Sequence, residues 1–124
     1  MTGEMVALNE NTTGYEARPE SKRNAPAIIV IHEVTGLIDY IKVVSRDLAA
    51  YGYVGLAVDL YEGKTAKNME EGTQLQAKVT EDIFRGKIRA AINYLKARPY
   101  CSGQVGVMGF CMGGGFALWA ACLF

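Results

Sequence analysis

The stretch "APAIIVIHE", residues 25–33, decides the fold. Behind a proline stand five apolar residues in a row, Ala27 to Ile31, four of them β-branched. So short and unbroken an apolar run reads as a strand buried on both faces, the habit of a parallel sheet covered by helices. The period changes immediately afterwards. In "GLIDYIKVVSRDLAAYGY", residues 36–53, apolar side chains recur at Leu37, Ile41, Val44 and Leu48, the spacing of one helix face, and Gly52 stands where a helix C-terminal glycine belongs. "YVGLAVDL", residues 53–60, then gives a second strand.

Beyond Asp59 the segment "YEGKTAKNMEEGTQLQ" is polar and glycine-containing, a loop with a short helix from about Met69. Thr80 can cap a longer helix whose face is Phe84, Ile88, Ala91 and Leu95 and which ends before Pro99. "CSG", residues 101–103, reads as a turn, and "QVGVMGF", residues 104–110, as the third buried strand, which runs into a last helix and, if it neighbours strand 27–31, ends at the same sheet edge. Strand and helix in alternation predict a parallel sheet with helices on both faces. Ahead of it, "MVAL" and "GYEARP" read as two short strands around the turn "NENTTG", with Gly14 supplying the turn's freedom.

Composition sets the bounds. A chain of 124 residues, half of them hydrophobic, is one domain at most. Thirteen basic residues balance thirteen acidic ones, and the seven tyrosines form no stacking pattern, so neither nucleic acid nor an anionic membrane is an expected partner. The amino terminus carries Glu4 where a secretory signal needs basic charge, and residues 116–124 are far shorter than the roughly 20 apolar residues of a membrane span. Three cysteines, an odd number without metal-ligand spacing, fit reduced thiols. The expectation is a cytoplasmic protein without metal or cofactor.

The chemistry gathers at "GFCMGGG", residues 109–115. A phosphate-binding loop needs Lys and then Ser or Thr after its last glycine, but Gly114 is followed by Gly115 and Phe116. A dinucleotide fingerprint begun at Gly113 needs a small residue at 118, where Leu118 stands. The remaining pattern is the nucleophile elbow G-x-S-x-G with cysteine in place of serine: Gly109, Phe110, Cys111, Met112, Gly113. Glycines two before and two after leave room for a nucleophile in a tight strand-to-helix turn. A helix N-terminus favours its thiolate. The competing reading is a small buried cysteine whose glycines only let helix and strand pack closely.

Together with "VIHEVTGL" (residues 30–37), "VDLYEG" and "RPYCSGQVGVMGFCMGG", this pattern resembles the dienelactone hydrolase family of α/β-hydrolases, with the motifs in the family's order from about residue 25 to 118. The resemblance implies a three-layer α/β-hydrolase sheet with flanking helices. The chain would then be a single partial domain, residues 1–124, truncated after the nucleophile helix. It implies Cys111 as nucleophile, Glu33 as the acid that pairs with its thiol at rest, and the backbone N–H groups of Val34 and Met112 as the oxyanion hole. The substrate would be a small ester or lactone.

Asp59 and Tyr61 look like the family's loop motif, with Gly63 where better-known members place an arginine for a substrate carboxylate. Family members carry a later Asp and His to complete a triad, whereas none of the thirteen residues after Cys111 is His, Asp or Glu. The single histidine, His32, precedes the nucleophile and has the wrong strand parity to face it alongside Glu33, so it is expected to be packed or bonded to backbone. Cys101 and Cys122 are expected to be inert. Three function classes follow: the amino-terminal part of a dienelactone-hydrolase-like enzyme, a redox-sensitive thiol protein, or an interaction module whose open sheet edge takes a second copy or a complementing carboxyl-terminal half.

Overall fold

The computed structural model describes residues 3–20 and 23–110. Five strands and three helices run in the order β1 (Gly3–Ala7), β2 (Thr13–Ala17), β3 (Ala25–Ile31), α1 (Asp39–Ala50), β4 (Val54–Val58), α2 (Met69–Ala77), α3 (Glu81–Lys96), β5 (Cys101–Gly109). One sheet holds all five strands in the order β1-β2-β4-β3-β5. The expected parallel part is β4-β3-β5. The amino-terminal hairpin extends it antiparallel through β2 against β4, so the sheet is mixed. The expected last helix lies outside the described residues.

The unbroken apolar run of β3 has the cause read from sequence, since both faces are covered. Ile29 and Ile31 join Leu56 and Val58 under Phe84, Ile88, Ala91 and Leu95 of α3. On the opposite face Val30 and Ala57 pack with Ile41 of α1. Side chains of successive strand residues point to opposite faces, so one strand feeds two cores. All four residues of the expected α3 stripe are at most 1% exposed. Thr80 caps α3 by accepting from the Ile83 N–H at 3.3 Å.

The end of α1 is a Schellman motif: the Gly52 N–H donates to Ala49 O and the Tyr53 N–H to Leu48 O, with Gly52 at φ +98°. Crossing β4, α1 comes so close that a Cβ on Gly55 would lie 2.6 Å from the Ser45 carbonyl oxygen.

Two local readings are corrected. Gly14 does not serve the turn. It lies inside β2 opposite Val58, where a Cβ would meet the Ala57 carbonyl oxygen at 2.9 Å, so it permits close approach of strands. The turn closes instead through Leu8 N–H to Thr12 O. Likewise β5 begins at Cys101, three residues earlier than expected. "CSG" is an irregularity within the strand: Ala25 pairs with Cys101 but Ala27 with Val105, and Gly103 takes φ +95° to absorb the extra residues.

Candidate functional site

Register brings two chain segments together at the carboxyl end of the sheet. Ile31 lies opposite Gly109 in the parallel ladder, so the chain after β3 and the chain after β5 leave adjacent strands side by side, about 4.8 Å apart. Loops at the carboxyl ends of parallel strands are where such sheets collect chemical groups. Glu33 is half-buried there, and its carboxylate makes no hydrogen bond or ion pair with another described residue. Cys111, Met112 and Cys122 lie outside the described residues.

Residues 33–36 form a turn closed by the Gly36 N–H donating to the Glu33 carbonyl at 3.0 Å, with Gly36 at φ +102°. Side chains and main chain from residues 59–66 brace this turn. The Tyr61 hydroxyl donates to the Val34 carbonyl at 2.9 Å, and the Ala66 N–H to the Thr35 carbonyl at 2.9 Å. Burial pushes the Tyr61 phenol up to about 12, so it stays a donor throughout the physiological range. Helix α2 closes on the same point, because a Cβ on Gly72 would lie 2.7 Å from the Val34 carbonyl oxygen.

Asp59, 5% exposed, organises the bracing loop itself. Its Oδ1 accepts from the Tyr61 N–H at 2.9 Å and its Oδ2 from the Gly63 N–H at 2.8 Å. These bonds hold a turn in which Glu62 and Gly63 both have positive φ. Gly63, with open space around its Cα, is thus a turn residue.

His32 is fully buried, and both ring nitrogens are committed. Its Nδ1 lies 2.8 Å from the Glu33 carbonyl oxygen, and its Nε2 accepts from the Leu60 N–H at 3.1 Å. A carbonyl oxygen only accepts and an amide N–H only donates, which assigns the proton to Nδ1 and leaves Nε2 bare. Burial lowers the pKa below the ordinary 6.5 and outweighs the Glu33 backbone bond and the charges of Asp59 and Glu33, which raise it. The ring packs edge-on against Tyr61 at 4.6 Å. The expectation of a packed, backbone-bonded histidine holds.

The turn therefore combines a carboxylate with no described partner, a main-chain N–H at Val34 with no acceptor among the described residues, and peptide planes fixed by His32, Gly36 and Tyr61. Such a set can share a proton and stabilise an anionic oxygen. Sequence reasoning missed the Tyr61 hydroxyl on Val34 and the Gly72 contact. For Gly72 a signal existed, since glycine inside a helix costs about 1 kcal/mol relative to alanine and implies a packing reason. A cleft of about 420 Å³ lies at the opposite end of the sheet, lined by Glu4, Glu16, Arg18 and Tyr100 among others, away from this chemistry. Among the described residues no cluster of His, Cys, Asp or Glu could hold a metal, and no helix is long and apolar enough to cross a membrane.

Comparison with known proteins agrees with the fold. Residues 12–124 match the Dienelactone hydrolase family. The chain is 36% identical to "Protein usf" of Aquifex pyrophilus, over 96% of this chain and 55% of that protein. It is 33% identical to a probable 2-oxo-3-(5-oxofuran-2-ylidene)propanoate lactonase of Bradyrhizobium sp, over 90% of this chain and 47% of that protein. Among solved structures, m3DLH superposes with TM-score 0.80 at 28% identity, covering 94% of this chain and 51% of that one. A dienelactone hydrolase-like promiscuous phosphotriesterase, P91, from metagenomic libraries gives 0.78 at 27%, covering 94% and 52%. The chain spans about half the length of the relatives it matches.

Proposed function

The chain belongs to the dienelactone hydrolase family, and from that premise we propose that it carries the acylation half of an ester- or lactone-cleaving site with Cys111 as nucleophile. The observation that carries this reading is the register. Glu33 and Cys111 each stand two residues beyond the paired positions Ile31 and Gly109, on adjacent strands. Glu33 pairs with the thiol at rest and accepts its proton. The sulfur then bonds to the acyl carbon, the developing oxyanion is held by the N–H groups of Val34 and Met112, and the C–O bond breaks with its electron pair leaving on the alcohol oxygen, which takes up the proton that Glu33 accepted.

Hydrolysis of the thioester needs a base to activate water. The one histidine of this sequence has both nitrogens engaged, so acylation is expected to outrun deacylation. Reduced thiols suit a cytoplasmic setting for this chemistry.

A pre-steady-state assay with a p-nitrophenyl ester tests the proposal. The native chain is expected to give a stoichiometric burst followed by slow turnover, and Cys111→Ala none. An equal burst from Cys111→Ala, or no burst from the native chain, contradicts it.

The proposal extends to partners. Among the described residues β5 is an edge strand, paired only with β3. Its outer edge would accept a strand from a second copy or from a polypeptide matching the other half of the relatives. Sedimentation should then show self-association. A monomer whose outer β5 amides exchange slowly would contradict it.

A further inference from the structure

Resting on the acyl-transfer reading, we propose that His32 is a positioning residue: its Nδ1–H, by holding the Glu33 carbonyl, aims the Val34 N–H at the place where the oxyanion forms. The argument begins with the peptide plane. The Glu33 carbonyl and the Val34 N–H belong to one trans peptide unit and point in opposite directions. Whatever fixes the carbonyl fixes the donor. Two groups do so, the His32 Nδ1–H at 2.8 Å and the Gly36 N–H at 3.0 Å.

The Gly36 bond belongs to the turn and travels with it. The His32 bond refers the peptide to the sheet, because Nε2 of the same ring is anchored by the Leu60 N–H just beyond β4. The ring is thus a strut between the end of β4 and the peptide after β3. Complete burial and the edge-on contact with Tyr61 leave it little freedom to rotate.

The adjacent peptide has its own clamp, the Tyr61 hydroxyl on the Val34 carbonyl. Exchange between the two common turn types flips that peptide, between the central residues Val34 and Thr35, and leaves the Val34 N–H on the other plane. The tasks are therefore divided: Tyr61 sets the turn and His32 sets the donor. An oxyanion donor works only within about 2.7–3.1 Å of the oxygen it serves, and losing one costs about 10²–10³ in rate. A histidine next to the candidate acid thus contributes through main-chain geometry, with no proton of its own transferred.

The test joins nitrogen NMR with acylation kinetics on the full chain. In the native protein the His32 ring is expected to show a protonated Nδ1 and a bare Nε2; the opposite tautomer overturns the proposal. His32→Leu keeps the bulk without either bond. It should change the residual dipolar coupling of the Val34 amide and slow p-nitrophenyl ester acylation of Cys111 about tenfold or more, with half-saturation unchanged. His32→Asn keeps an N–H near the Nδ1 position and should restore most of both.

An unchanged Val34 coupling in His32→Leu, or a His32→Asn rate as low as that of His32→Leu, overturns the proposal. Should His32→Leu fail to fold, the native tautomer and the His32→Asn coupling and rate decide. A native chain that is never acylated contradicts the acyl-transfer reading, and the tautomer and Val34 coupling still decide whether His32 holds the peptide.

Discussion

The two ends of the parallel strands use buried polar side chains in opposite ways. At the carboxyl end His32, Asp59 and Tyr61 bond to main chain: Leu60 N–H, the Glu33 carbonyl, the Tyr61 and Gly63 N–H groups and the Val34 carbonyl. At the amino end Glu16, 4% exposed, bonds to side chains, accepting from the Tyr94 hydroxyl at 3.1 Å and the Tyr100 hydroxyl at 2.7 Å. Burial first, and the Glu16 bond with it, push the Tyr100 phenol above its ordinary value, so the hydroxyl remains a donor. Arg18 and Arg98 lie over the Tyr100 and Tyr94 rings at 4.4 and 4.3 Å. The amino-end cluster joins β2 to α3 and to the approach of β5, across 78 and 84 residues of sequence. It holds elements together, whereas the carboxyl-end set shapes a loop.

This contrast predicts that stability and chemistry separate between the ends. Glu16→Ala should have the largest effect, about 2–4 kcal/mol of stability, because two half-buried phenols lose their shared acceptor. Urea unfolding measures that loss, and the acylation rate per folded molecule should be unchanged. A rate that fell with stability would erase the distinction.

At the other end, Gly72→Ala should reverse the pattern. Its helix-propensity gain of about 1 kcal/mol opposes the clash with the Val34 carbonyl, so stability moves little while acylation slows several-fold. Tyr61→Phe should cost about 1 kcal/mol and slow acylation by a smaller factor, read in the same two assays.

The smallest effect is a pH slope. A buried His32 with a lowered pKa contributes its full stability above the ordinary 6.5, and that contribution falls as pH drops below it, because the unfolded chain takes up the proton first. Urea midpoints at pH 7 and pH 5 should show this slope in the native chain and a shallower one in His32→Asn.

Where the sequence could be read and where it could not follows from the range of each interaction. The β3 run, the α3 stripe and the Gly52 cap are local patterns, and the structure has all three. The neighbourhood of β3 and β5 entered only as a condition for Glu33 to share a sheet edge with Cys111, because β4 lies between them in sequence, and the ladder meets that condition. Gly14 was misread because its reason is a carbonyl on β4, distant in sequence. "CSG" carries turn residues, and the chain spends them on an irregularity inside β5. The parity of His32 pointed away from the nucleophile, leaving it packed or backbone-bonded, but its partner Leu60 and the Tyr61 clamp on Val34 depend on how β4 ends beside β3. Glu16 gave no local signal, because its place opposite Leu56 on the core face of β2 depends on how β2 pairs with β4.

The central claim is that the carboxyl-end loops serve a nucleophile at Cys111, and Cys101, another of the three thiols, provides an internal contrast. Burial, with Glu16 nearby, pushes the Cys101 thiol up to about 11, so it stays protonated at neutral pH. The decisive measurement is peptide mapping by mass spectrometry after brief exposure of the native chain to p-nitrophenyl acetate. The account predicts one acetyl group, on Cys111, with Cys101 unmodified. Acetylation of Cys101 in preference, or none on either thiol, would contradict it.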